Sequence, residues 1–256
     1  MLEIVQIPVL SDNYIYLVHE PSARATAAVD PAVAEPVLAM LDEKGWTLTH
    51  ILNTHHHGDH VGGNIALKRQ TGCAIVAMRR DKARIPGIDV EVADGDRINL
   101  GQAEAQVIDV PGHTSGHIAF WFATDEALFC GDTLFGLGCG RLFEGRPQQM
   151  WQSLERIKSL PSAARIYCAH EYTQANGRFA LTIEPNNPAL VARMARVDEL
   201  RRSGAPTVPS TLAEELATNP FLRTDNPSIR QQLQMARAKD WQVFAEIRRR
   251  KDEFRG

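Results

Sequence analysis

The chain of 256 residues has no paired cysteines: Cys73, Cys130, Cys139 and Cys168 are dispersed and no C-x-x-C occurs. That argues against a thiolate zinc cage, and a chain of this size does not depend on disulfides for its core. No apolar run reaches the roughly 18 residues that a membrane span requires. Neither sign of charge dominates, and a formal net charge of −3 argues against a whole-protein affinity for nucleic acid. The start of the chain carries Glu3 where a secretion signal would carry a basic residue, and Asp12 soon interrupts the apolar run. There is no G-x-S-x-G elbow for a serine nucleophile, no repeat and no low-complexity linker. Cys130, inside an apolar run, reads as a buried structural thiol rather than a nucleophile. These absences predict a cytoplasmic protein with reduced thiols and neither a membrane nor a nucleic-acid partner; a monomer is the expected state, which the absences do not themselves decide. What is present is ordinary globular composition, with 44% hydrophobic and 23% charged residues.

Up to about residue 172, short β-rich runs alternate with helical stretches. The runs are "LEIVQIPV", "YIYLV", "TAAVD", "HILNT", "AIVAM", "AQVIDV", "HIAFWF", "ALFCGD" and "RIYCAH", rich in residues that suit strands. Between them lie helix candidates: "AEPVLAMLDEKG" with Gly45 as a stop, "GGNIALKRQTG", and "QQMWQSLERIKSL" before Pro161. Past Tyr172 the β signal almost vanishes, and "NPALVARMARVDELRRSG", "STLAEELAT" and "DWQVFAEIRRRKDEF" read as helices. The division predicts an α/β catalytic body over 1–172 and a helical substrate-binding addition over 173–256.

The stretch "THHHGDH", Thr54 to His60, packs four histidines and an aspartate behind the apolar run "ILNT". In extended backbone alternate side chains share a face, so His55 and His57 can reach one ion while His56 points away. Gly58 is expected to let the chain turn, so that Asp59 and His60 face a second position. Three further junctions add His113 behind Pro111 and Gly112, Asp132 behind Gly131, and His170. A lone histidine is usually structural, but that reading must hold here for several residues at once. Imidazole and carboxylate suit zinc, iron or manganese. Two ions can share the set: His55, His57 and His113 on one, Asp59, His60 and His170 on the other, with Asp132 bridging. His56 and His117 fall off the ligand positions and are candidates for support around the ligands. His19 and His50 are expected at the surface or flanking strands.

The H-x-H-x-D-H loop, the later "GH" and "GD" and the last histidine resemble the metallo-β-lactamase fold over about the first 170 residues. A closer resemblance, to glyoxalase II (the hydroxyacylglutathione hydrolases), spans nearly the whole chain. It rests on "SDNYIYL", "THHHGDHVGGN", "PGHTSGHI", "GDTLFGLGCGRLFEG", "AHEYTQAN", "NPFLR" and "IRRRKDEF". The resemblance implies an αββα sandwich, a helical C-terminal domain and a dinuclear centre, most simply of zinc, with iron or manganese as alternatives. It also implies hydrolysis of S-D-lactoylglutathione to glutathione and D-lactate. In that reaction Asp59 and Asp132 would act with a metal-bound hydroxide on the thioester carbonyl. The departing thiol has a reference pKa of about 8.5, so no strong general acid is needed.

Substrate contacts transfer by position. Arg141 stands where many relatives carry lysine, and both can meet a carboxylate. Phe143 replaces the tyrosine common at its position, which removes a hydroxyl. Tyr172 matches a substrate-facing tyrosine, and Arg248 with Lys251 match the C-terminal basic pair. The helical phase from Trp241 places Phe244, Ile247, Lys251 and Phe254 in one stripe, with Arg248 at its edge and Arg249 opposite. A lysine on an apolar stripe calls for an anionic partner. Nine basic against five acidic residues from position 223 onward agree with that. Of the rivals, a mononuclear-iron persulfide dioxygenase has no need of His60 and His170 as ligands or of the basic helix. A nuclease would carry a nucleic-acid-binding addition. A non-catalytic glutathione- or metal-binding scaffold has no need of the open coordination position.

Overall fold

The strand Asn13–Glu20 is buried at every position, so both of its faces must be covered. In the computed structural model, which describes residues 1–255, it lies second in a six-stranded sheet. The order is Glu3–Val9, Asn13–Glu20, Ala25–Val29, Leu48–Leu52, Ala74–Met78 and Val90–Val92. The first three strands pair antiparallel and the rest run parallel to Ala25–Val29. Parallel neighbours need a crossover, and the helices Glu35–Lys44 and Asn64–Thr71 lie in the first two. Because side chains alternate along a strand, Ile15 and Leu17 pack with Val37, Leu41 and Leu67 of these helices. Tyr16 points the other way, with its ring 5.5 Å from that of Phe129. Phe129 belongs to an antiparallel set formed by Arg97–Leu100, Ala103–Asp109, Ile118–Phe122 and Ala127–Gly131. Helix, sheet and second sheet are thus layered within one compact unit, Met1–Asp109 with Gly116–Gly131.

A second unit comprises Val110–Ser115 and the chain from Asp132 onward. It opens with the short hairpin Leu134–Phe135 and Gly138–Cys139. The helix Pro147–Lys158 follows, and then the strand Arg165–Cys168, paired with Ser210–Thr211. Its further helices include Thr173–Ile183, Pro188–Arg202, Leu212–Thr218, Pro227–Gln232 and Asp240–Glu253. Leu137, Ala180, Leu190, Met194 and Val197 form one of its cores. Phe221 bridges two helices, 6.2 Å from Phe179 and 5.8 Å from Phe244. Among the described residues, no helix is long and apolar enough to cross a membrane.

The elements that sequence patterning missed have physical reasons. Val90–Val92 and Arg97–Leu100 are three and four residues long and lie at sheet edges, where charged residues are favoured and alternation is blurred. Ser210–Thr211 is too short to show a period. The helix Thr173–Ile183 contains Asn176 and Gly177, both poor helix formers. A Cβ on Gly177 would stand 1.9 Å from the sulfur of Met194, so close helix packing overrides propensity there.

Candidate metal centre

The chain leaves the strand Leu48–Leu52 and carries His55, buried, and His57, half-buried, into the first turn of the short helix Gly58–Val61. His55 Nε2 and His57 Nδ1 converge to 3.1 Å. His56 rotates away, as alternation predicts, and its Nδ1 lies 3.4 Å from Asp81 Oδ2. The helical turn then brings Asp59 Oδ2 to 3.5 Å from His60 Nε2. Gly58 itself has no left-handed backbone, and a Cβ there would meet nothing within 4 Å. The helix makes the turn that the sequence reading assigned to glycine's freedom.

In the second unit His113, Asp132 and His170 form a matching set. Asp132 places Oδ2 3.4 Å from His113 Nε2 and Oδ1 3.4 Å from His170 Nε2. Two ligands of one tetrahedral zinc, each at about 2.0–2.1 Å, stand roughly 3.3–3.4 Å apart. The four donor pairs, at 3.1, 3.5, 3.4 and 3.4 Å, lie within about 0.3 Å of that spacing. The residues present therefore fit metal ions, and Asp132 offers one oxygen to each of two histidines.

The supporting contacts set which imidazole nitrogen of each histidine would face a metal ion. His113 Nδ1 donates to the carbonyl of Arg141 at 2.8 Å, which leaves Nε2 to coordinate. Asp30 does the same for His60 through Nδ1 at 3.0 Å. Its carboxylate also accepts from the Thr54 hydroxyl at 2.6 Å and the Thr54 N–H at 2.8 Å, while Thr54 Oγ1 meets His55 Nδ1 at 3.1 Å. Asp30 is 3% exposed and sits at φ 48°, a strained backbone of the kind found at functional sites. Asn13 donates to Asp59 Oδ2 at 3.0 Å. His117 stacks on His55 at 4.6 Å. Gly131 lies at φ 49°, and a Cβ there would be 2.3 Å from Thr54 Oγ1. Glycine is required at this close approach. Asp30, Thr54 and Asn13 were missed as functional residues, although "TAAVD" ends on one and "SDNYIYL" contains another. Their partners lie 24 to 46 positions away, beyond any local pattern. His19 corrects another expectation: it is buried, stacked on Trp46 at 4.2 Å. His50, half-buried, lies in the strand Leu48–Leu52.

A cavity of about 370 Å³ in the second unit gathers Arg141, Phe143, Tyr172, Arg248 and Lys251 with His113 and Asp132. Phe143, 61% exposed, stands edge-on to His113 at 5.2 Å. Tyr172 stacks flat on His170 at 4.7 Å. The Lys251 ammonium lies 5.5 Å from the ring centres of Phe179 and Phe254, with a 3.4 Å contact to the Ala175 carbonyl. Burial pushes its pKa down, and so do Arg248, Arg178 and Arg141, against the pull of Asp252. Arg248 is the deeper residue, 6% exposed, donating to the Cys139 carbonyl at 2.9 Å and to Asp252 at 2.8 Å. The buried stripe contains Val243 and Arg248, with Trp241 only half-buried. A phase started from Trp241 therefore set Arg248 too near the edge. Arg249 faces outward between Glu246 and Glu253, as the phase predicts.

Comparison with known proteins matches residues 12–170 to the metallo-β-lactamase superfamily and residues 171–254 to the hydroxyacylglutathione hydrolase C-terminus. The chain is 66% identical to a hydroxyacylglutathione hydrolase of Methylococcus capsulatus, with all of both chains covered. It is 56% identical to one of Rhodospirillum rubrum, with 99% of each chain covered. Among solved structures, ETHE1 from Myxococcus xanthus superposes with a TM-score of 0.71 at 26% identity, over 96% of this chain and 90% of that one. A protein solved in a di-iron-bound form gives a TM-score of 0.61 at 25% identity, over 86% of this chain and all of that one. On this fold the histidine and aspartate clusters fit a dinuclear metal site. With the metallo-β-lactamase fold followed by its own C-terminal helical region, the chain belongs to the hydroxyacylglutathione hydrolase family.

Proposed function

We propose that this chain hydrolyses S-(2-hydroxyacyl)glutathione thioesters, chiefly S-D-lactoylglutathione, to glutathione and D-lactate in the cytoplasm. The observation that carries the reading is the cavity in which His113 and Asp132 share walls with Arg141, Arg248 and Lys251. Metal-ligating and anion-binding side chains in one space suit a substrate with a reactive carbonyl at one end and a carboxylate at the other.

In this reading His55, His57 and His113 would hold one ion, Asp59, His60 and His170 would hold the other, and Asp132 would serve both. Zinc is the preferred metal, with iron and manganese the alternatives that the same donors accept. Such a pair of ions supplies, when bound, an activated water near neutral pH and polarisation of the acyl oxygen. Asp59 and Asp132 would orient a water toward the thioester carbon. Lys251 and Arg248 hold the glycine carboxylate of glutathione, and Arg141 and Tyr172 line the path toward the carbonyl. Phe143 offers a ring and no hydroxyl, so its side chain contributes apolar contact, and polar contact at this position falls to the backbone. The thiol leaves as a thiolate, for which no protonating side chain is needed. Residues 1–172 thus carry most of the chemistry, and 173–256 supply the carboxylate grip.

Turnover of S-D-lactoylglutathione by purified protein, with metal content measured alongside, tests the reading. Glutathione thioesters should be hydrolysed far better than thioesters of a small uncharged thiol. Equal kcat/KM for the two would remove the reason for assigning glutathione. No turnover by protein carrying two ions would overturn the reading as a whole.

A further inference from the structure

Glu215 is fully buried and far in sequence from every residue assigned so far. Its Oε1 accepts from the Ser210 hydroxyl at 2.6 Å and from the Arg193 guanidinium. Its Oε2 accepts from the backbone N–H of Leu137 at 2.9 Å and from Asn219 Nδ2 at 3.0 Å. Leu137 sits at φ 57°, a conformation that a leucine adopts only when its surroundings enforce it. Asn219, equally buried, also donates to the carbonyls of Phe135 and Gly138 at 3.2 and 3.0 Å. Asn176 holds the Gly136 carbonyl at 3.1 Å. All four residues of the turn, Phe135 to Gly138, are thus tied by buried polar groups.

This hairpin is the frame of the cavity. Phe135 and Cys139 line it, the Cys139 carbonyl receives Arg248, and Arg141 follows two residues on, its carbonyl holding His113. We propose that Glu215, acting with Asn219, is a positioning residue for the glutathione-binding cavity. It holds Leu137 in its left-handed turn, and through the hairpin it sets Arg248 and Arg141 at the spacing that the substrate carboxylate and backbone require. A carboxylate suits the post because four donors converge on it, two on each oxygen. Glutamine keeps the shape but turns an NH₂ toward one of those donor pairs. The proposal rests on the glutathione-thioester reading above.

Glu215→Gln and Asn219→Ala test it, each assayed below its own melting temperature with circular dichroism confirming the fold. The wild type must first turn over S-D-lactoylglutathione, since its inactivity would count against the functional reading and not against Glu215. Given activity, KM for the glutathione thioester should rise about tenfold in either variant, the typical weight of one lost polar contact. The kcat should stay within about twofold, two ions per chain should be retained, and kcat/KM for a small-thiol thioester should be unchanged. Loss of folded protein alone would lower apparent kcat equally for both thioesters and leave KM where it was. That pattern, or a wild-type KM in the folded variants, overturns the proposal. Where Glu215→Gln does not fold, Asn219→Ala decides, because it leaves the Arg193 ion pair intact.

Discussion

Lys251 carries a positive charge half out of water, among aromatic rings and other cations. A carboxylate arriving beside it replaces lost hydration, so the residue should matter far more to binding than its exposed neighbours. Lys251→Ala should cost about 1.5–3 kcal/mol, the range for a charged hydrogen bond, or roughly ten- to hundred-fold in kcat/KM, mostly through KM. Arg249→Ala should change little, because its guanidinium already pairs with Glu246 and Glu253 at the surface. Steady-state kinetics on both variants would show whether the two roles are reversed. A pH effect follows from the lowered pKa of Lys251, whose causes are burial first and then Arg248 and Arg178. The free enzyme loses this charge below the ordinary lysine value of 10.5, so kcat/KM for glutathione thioesters should fall as pH rises toward it. Lys251→Arg should remove that alkaline fall. For stability the sign is opposite: the folded state binds the proton less well than the unfolded state, so this residue's cost is relieved as pH rises through the same window.

At the scale of elements, the end of the strand Ala127–Gly131 is a tight joint beside the histidine cluster. Gly131→Ala would force a methyl against Thr54 Oγ1 and His117 at φ 49°, disturbing the Asp30–Thr54–His55 chain of contacts. The expected outcome is a loss of about 1–3 kcal/mol, the scale of one strained backbone position, together with weaker metal retention. Thermal melts of metal-free and loaded protein would separate the two effects. The same joints explain what could be read from the sequence. His55, His57, Asp59 and His60 were legible because one strand end and one helical turn deliver them within six positions. Asp30 and Glu215 were not, since the donors to Asp30 lie 24 and 30 positions away and the Leu137 amide that gives Glu215 its place lies 78 away. The C-terminal helix falls between these cases. Its period identified the inward side chains, but only the packed structure shows Arg248 buried deeper than Lys251.

For the molecule as a whole, the α/β layers were legible from the alternation of β-rich runs and helices, while edge strands and the helix around Gly177 needed tertiary packing to exist. Metal binding should also be part of the stability of the whole. An ion that binds only the folded chain adds about 4 kcal/mol at a thousand-fold excess over its Kd, so chelation should lower the melting temperature markedly. An unchanged melt after complete stripping would mean that the ions bind the folded chain no better than the unfolded one. Asp132→Ala should remove most activity and reduce the metal content from two ions per chain, as elemental analysis would report. Since Asp132 turns one oxygen to His113 and the other to His170, on the proposed reading an ion held at either oxygen would orient the carboxylate for a second. Loading should accordingly be all-or-none. Protein given half its metal should appear in native mass spectra as empty and doubly filled molecules, with the singly filled species scarce, and Asp132→Ala should abolish that bimodality.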